Sequence, residues 1–248
     1  MRYLLPLMLI AAPLATPAVA QDLSGYGIAG DVGLGAEYGP GYLGSDDNKT
    51  SPWLILRNGT LIRPGQTADD ADGFSILPSF GYQGRRDAKD YDALAGMKDI
   101  KRAGEVGLKV GYDMGPTSSY LTLRKGFGGH SGLTGEFGAS YRIDASDKLS
   151  FWGNVEAQYG NKKFNDTYFG VTPEESLTSR YGTYSAGGGI YGASIGLEAR
   201  YSLTEKTAIV GEVEYQRLLG DSGDSPLVQD KNQPSVKLGI VRHFDFRF

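Results

Sequence analysis

Apolar and polar residues alternate with a period of two through most of this chain. In its last stretch Val236, Leu238, Ile240, Phe244, Phe246 and Phe248 share one phase, broken only by Arg242. Lys237, Gly239, Val241, His243, Asp245 and Arg247 hold the other. Successive side chains of a strand point to opposite faces, so this predicts a strand with one greasy and one charged face. Tyr26–Tyr38, Glu105–Tyr112, Leu133–Ile143, Leu149–Tyr159, Tyr191–Leu203 and Ile209–Gln216 read the same way. Three segments are less clean. Tyr120–Phe127 carries Lys125 on its apolar side, and Ser51–Arg57 is greasy on both faces. Pro78 interrupts the face of Phe74, Ile76, Phe80 and Tyr82, and a residue without a ladder donor predicts a bulge or irregular pairing.

The connections set strand number and direction. Outer-membrane barrels carry short periplasmic turns and long outer loops. With the last strand descending, Gly220–Gln233, Gly160–Gly188, Arg85–Lys101 and Gly39–Asn48 become outer loops. Leu203–Lys206, Asp144–Asp147, Asp113–Pro116 and Arg57–Gly59 become inner turns, and Thr60–Gln83 counts as one interrupted strand. The expected fold is an all-β, transmembrane, antiparallel up-and-down β-barrel of ten strands, closed by pairing the last strand with Tyr26–Tyr38. A twelve-strand alternative, with Tyr181–Ile190 and Thr60–Arg63 split off, puts several long loops on the wrong side.

A β-sandwich would also alternate, but here the polar face mixes acids and bases (Glu105, Lys109, Glu136, Arg142, Glu198, Arg200) with many glycines. Opposite charges inside a narrow barrel can pair, which offsets their desolvation. About 8 strands enclose only side chains, whereas 16 to 18 leave an aqueous channel. A ten-strand lumen is therefore expected to be largely plugged or to pass only small solutes, which disfavours a general-diffusion porin.

The address agrees with that fold. Met1-Arg2, the apolar run Tyr3–Ala12 and Ala18-Val19-Ala20 before Gln21 fit a secretory signal peptide over 1–20, cleaved between Ala20 and Gln21. The run falls short of the about 20 apolar residues that span a bilayer. The expected mature barrel is 21–248, in the outer membrane of a Gram-negative bacterium. Phe244, Phe246 and Phe248 would face outer-membrane lipid and fit the terminal signal read by barrel-assembly machinery. The absence of cysteine excludes disulfides and thiolate metal sites. The 37 glycines and 16 tyrosines suit tightly packed strands with aromatic belts. A net charge of −4 without a basic block gives no footprint for nucleic acid.

Motifs of chemistry are thin. Gly25-Tyr26-Gly27-Ile28-Ala29-Gly30 has the letters of a dinucleotide fingerprint but lies within an alternating strand with no helix after it. His130 and His243 are the only histidines, and a strand points His130 and Ser131 apart rather than into a nucleophile–base pair. His243 is expected in the lumen beside Asp245 and Arg247. Asp69, Asp70 and Asp72, or Asp221 and Asp224, lack the spacing of a calcium loop. No catalytic residue, cofactor or metal is expected, and no enzymatic activity.

Tyr168-Phe169-Gly170-Val171-Thr172-Pro173-Glu174-Glu175-Ser176 resembles the Y-F-G-V-[ST]-x-x-[EQ]-[SA] segment of the MipA/OmpV outer-membrane proteins. Gly41–Ser45, Leu94–Ile100, Gly129–Gly132 and Asp224–Val228 sit where that family has similar segments. Tyr168, Phe169, Gly170, Val171 and Ser176 carry most of the specificity. The resemblance implies a non-enzymatic barrel acting as a scaffold in murein (peptidoglycan) assembly, with a lytic transglycosylase and a murein synthase as partners. The alternative is a narrow small-solute channel or a surface adhesion or ligand-binding barrel.

Overall fold

The computed structural model describes residues 25–62, 64–65 and 73–248. The expected cleavage site Ala20–Gln21 and the acids Asp69, Asp70 and Asp72 lie outside them. Ten strands follow in chain order: β1 Gly27–Pro40, β2 Asn48–Ile62, β3 Gly73–Gln83, β4 Ala103–Met114, β5 Thr117–Gly128, β6 Leu133–Ser146, β7 Leu149–Gly160, β8 Gly189–Ser202, β9 Thr207–Leu218 and β10 Asn232–Arg247. Each of β3 to β10 pairs antiparallel with its neighbour in sequence, and β1 pairs with both β2 and β10. The last strand pairs with the first as expected, in a register that runs from Gly27 opposite Arg247 to Tyr38 opposite Val236. That pairing curls the sheet into a barrel. β2 and β3, the two ends of the ladder order, stand side by side, and no ladder joins them among the described residues.

The apolar phase of every strand points outward. Leu34 is 70 % exposed, Leu238 62 % and Phe137 64 %. An apolar surface that continuous far exceeds what a water-soluble monomer shows, and it is the surface lipid covers. Aromatics stand at both rims of the belt: Tyr38, Tyr82, Phe127, Tyr159 and Tyr215 near one, Phe74, Tyr112, Tyr141, Tyr201 and Phe246 near the other. No helix among the described residues is long and apolar enough to cross a membrane; the strands cross it.

β1 and β10 approach so closely that small residues are required on their lumenal side. A Cβ on Gly35 would stand 2.7 Å from the Cα of Gly239, and one on Gly239 would stand 3.0 Å from the Cα of Gly35. Opposed glycines are what let the closing ladder form there.

The segment Arg57-Asn58-Gly59 departs from the sequence reading. It is not an inner turn. Arg57 pairs with Asp31 and Thr60 with Ala29, so Asn58 and Gly59 together face the single residue Gly30. This is a β-bulge inside one long strand, and Thr60–Ile62 finishes β2 rather than opening β3. Nor does Tyr181 begin a strand: Tyr184 bridges to Val171 in the outer loops, and β8 starts at Gly189. The double greasiness of Ser51–Arg57 also finds its cause. Trp53 and Ile55 face inward and pack with Ala208, Val210 and Val241, an apolar patch on the lumen wall.

Candidate functional site: a capped, ion-paired lumen

Strand alternation puts the polar phase inside, and the charges there pair across the barrel. Arg57 of β2 reaches Glu198 at 3.5 Å and also pairs with Glu212. Lys237 of β10 holds Glu212 at 2.8 Å, and Asp31 of β1 pairs with Arg200 and, at 3.0 Å, with His243. His243 therefore lies in the lumen as expected, but its partner is Asp31, brought in by the β1–β10 closure. Arg124 bonds Ser79 Oγ at 3.2 Å, pairs with Glu136 and meets Glu105 at 3.0 Å. Lys109 lies 4.2 Å from the centroid of Tyr120, whose hydroxyl donates to Glu156. Between these bridges lies a cavity of about 510 Å³. Its lining includes Asp113, Ser118 and Trp152 toward the inner end of the strands and Thr122 and Glu136 at mid-height.

The outer loops are not open. Two α-helices, α1 Lys162–Phe169 and α2 Pro173–Thr178, and a single turn α3 Gly220–Gly223 fold over the mouth. Asn161 caps α1 by accepting from the Phe164 N–H at 3.1 Å. Thr172 and Glu175 form a reciprocal capping box on α2, at 3.2 and 3.0 Å, satisfying two backbone donors that a helix start otherwise leaves unpaired. Glu175 also accepts from the Lys98 N–H at 3.1 Å, tying α2 to a second loop. Phe164, Phe169 and Leu94 are fully buried, packed with Tyr168, Ile100 and Leu218 in one cluster and with Tyr42, Met97, Val171 and Leu227 in the next. Polar links cross the loops: Tyr42 Oη donates to Leu227 O at 3.1 Å, Arg86 Nη1 to Tyr168 O at 2.7 Å and Ser225 Oγ to Phe169 O at 2.6 Å. Burial pushes the Tyr42 hydroxyl up to about 12 and pulls the Arg86 guanidinium below its ordinary value. This cap is a small core of its own.

Cap and lumen meet at Glu105. It accepts from Arg124 and Thr134, each at 3.0 Å, and from His130 Nε2 at 3.1 Å. His130 Nδ1 takes the Gly132 N–H at 3.3 Å, and its ring stands 5.1 Å edge-on to Phe164. Both ring nitrogens are thus engaged, Nδ1 within its own loop and Nε2 on the strand β4 carboxylate.

A family model described as MltA-interacting protein MipA matches residues 32–244. The chain belongs to the MipA family. Among curated relatives, outer membrane protein OmpV of Vibrio cholerae is 26 % identical over 225 residues, 86 % of this chain and 80 % of that one. Outer membrane protein Omp26La of Vibrio anguillarum is 30 % identical over 102 residues, 41 % of this chain and 38 % of that protein's length. Among solved structures, an outer membrane channel from Pseudomonas putida F1 aligns over 90 % of this chain and 98 % of its own, with 13 % identity and a TM-score of 0.47. This MipA-family protein is an outer-membrane β-barrel.

In this MipA-family barrel the segment that carried the resemblance is the heart of the cap. Tyr168, Phe169 and Val171 are buried, Gly170 ends α1, and Ser176 Oγ bonds Pro173 O at 2.8 Å within α2. Phe244, Phe246 and Phe248 lie on the outward face, the last two edge to face at 5.3 Å. Lys125, out of phase in β5, reaches the Ser131 carbonyl at the outer rim. Asp224 pairs with Lys231 at 2.6 Å, and the Asp221 carbonyl accepts from Tyr184. Among the described residues no cluster of three or more His, Asp or Glu is placed to hold a metal. The sequence reading missed the cap as a packed unit; the T-P-E-E run at Thr172–Glu175 was its one local signal.

Proposed function

We propose that this barrel is a non-enzymatic interaction scaffold linked to murein assembly, with a lytic transglycosylase and a murein synthase as the partner class. The observation that carries it is the closure of the outer mouth by a packed cap above a lumen crossed by ion pairs. A body built this way suits holding a position in the membrane better than passing solutes. The family description as an interacting protein supports the partner class. The periplasmic rim offers the contact surface, through the turns at Gly115–Pro116, Asp147–Lys148 and Leu203–Lys206. The same proposal includes export by a signal peptide removed between Ala20 and Gln21, and assembly directed by Phe244, Phe246 and Phe248.

The test is capture of the partners from crosslinked cells with the intact barrel and with a variant whose inner turns are replaced. Recovery of a murein-cleaving or murein-building enzyme, lost in the variant, is the expected result; equal recovery from both sinks the reading. The second reading, a narrow small-solute channel, draws on the 510 Å³ lumenal cavity. It predicts well-resolved single-channel openings in a planar bilayer, where the scaffold reading predicts silence.

A further inference from the structure

Among the described residues no ladder joins β2 to β3, and two local features fit that. The bulge at Asn58–Gly59 takes β2 out of regular pleat, and Pro78 in the middle of β3 has no N–H to offer a neighbouring strand. The two features lie at the same height, because a Cβ on Gly59 would stand 3.6 Å from Leu77 Cδ1. The lumenal cavity reaches this boundary. Its lining runs from Arg57, Leu77 and Ser79 on the inner face to Leu56, Pro78 and Phe80 on the outer face. Leu56 and Phe80 are 52 % and 61 % exposed on the lipid side, so residues of both phases border the cavity at this boundary.

We propose that this gap is a lateral portal through which the hydrocarbon tail of a single-chain cationic amphiphile passes between lipid and lumen. The portal rim fits a tail. Leu56, Leu77, Pro78 and Phe80 offer apolar contact, and a tail lying there exchanges lipid for protein with little desolvation cost. The lumen fits a cationic head. Carboxylates outnumber cations among the cavity-lining residues by seven to three. Arg200 and Lys237, which reach Asp31 and Glu212 from beside the cavity, leave the acids in excess. Among the described residues Glu156 accepts hydrogen bonds from Tyr120 and Gln158 and has no ion-pair partner. An excess of acidic groups in a low-dielectric chamber favours a cationic guest. The portal stands apart from the scaffold reading and does not need it.

The chain has no cysteine and only two tryptophans, Trp53 and Trp152, both on the lumenal phase. A Gly59→Cys/Leu77→Cys variant in phosphatidylcholine vesicles, bridged by a short bifunctional thiol reagent, therefore tests the portal directly. The probe is a brominated single-chain trimethylammonium amphiphile, read by quenching of indole fluorescence. Saturable quenching in the unbridged variant, lost on bridging while the heat-shifted gel mobility of the folded barrel persists, is the expected result. Quenching unchanged by bridging overturns the portal. Equal quenching by the brominated sulfate of the same chain length overturns the cationic head. Single substitutions give an independent arm: Leu77→Phe should weaken the quenching and Leu77→Ala strengthen it, and two like-signed effects also overturn the proposal.

Discussion

Glu105 joins the two halves of the molecule through a single carboxylate. It is 4 % exposed and receives donors from Arg124, Thr134 and His130. Removing one partner of a buried charge network leaves the others uncompensated, so Glu105→Ala should cost about 3–5 kcal/mol and Glu105→Gln distinctly less. Urea unfolding in vesicles measures this, and equal losses for the two variants would refute it. Tyr42 gives a pH test in the loops. Its pKa is raised from 10.0 to about 12, chiefly by burial, so the folded state favours the neutral phenol. That stabilisation is complete below pH 10 and is lost as pH rises through about 12. Protease sensitivity of the cap should therefore climb in that window, and Tyr42→Phe should remove that component. Glu105 was readable in the sequence as a lumenal acid. Its partner His130 was not, because the glycine-rich connection that delivers the ring has no periodicity to betray its direction.

At the level of elements, the capping box on α2 is the clearest local device. Glu175 closes the box and accepts from Lys98, so Glu175→Ala should destabilise the cap by about 1–2 kcal/mol. Limited proteolysis within 161–188 should accelerate while the barrel strands stay protected; protection unchanged in that loop would count against it. The strands were legible because lipid on one side and charge on the other impose a period of two on every one of them. The loops were not, because Phe164, Leu94 and Leu227 bury against residues of other loops, at no fixed spacing. Arg57-Asn58-Gly59 misled for a different reason. Asn-Gly suits a tight turn and a bulge alike, and only the pairing of β1 on both sides of it decides between them.

For the molecule as a whole, cap and lumen form two barriers in series. Excising 162–188 in favour of a short Gly-Ser turn should convert an electrically silent bilayer into one with small openings, kept small by the ion pairs of Arg57 and Arg124 below. Persistent silence would refute that expectation and mean that the ion-paired lumen alone closes the path to ions. The closure of β1 on β10 also has a kinetic side. Gly27 meets Arg247, so the last ladder joins segments separated by nearly the whole described chain, whereas neighbouring strands meet across turns as short as Gly115–Pro116. At about 0.6 kcal/mol per doubling of loop length, that step costs roughly 3 to 4 kcal/mol more in chain entropy than forming a hairpin. Hairpins should form early and the closing ladder last. Until then the edge of β1 is a sticky template, and a nascent barrel left unattended at that stage would aggregate edge to edge.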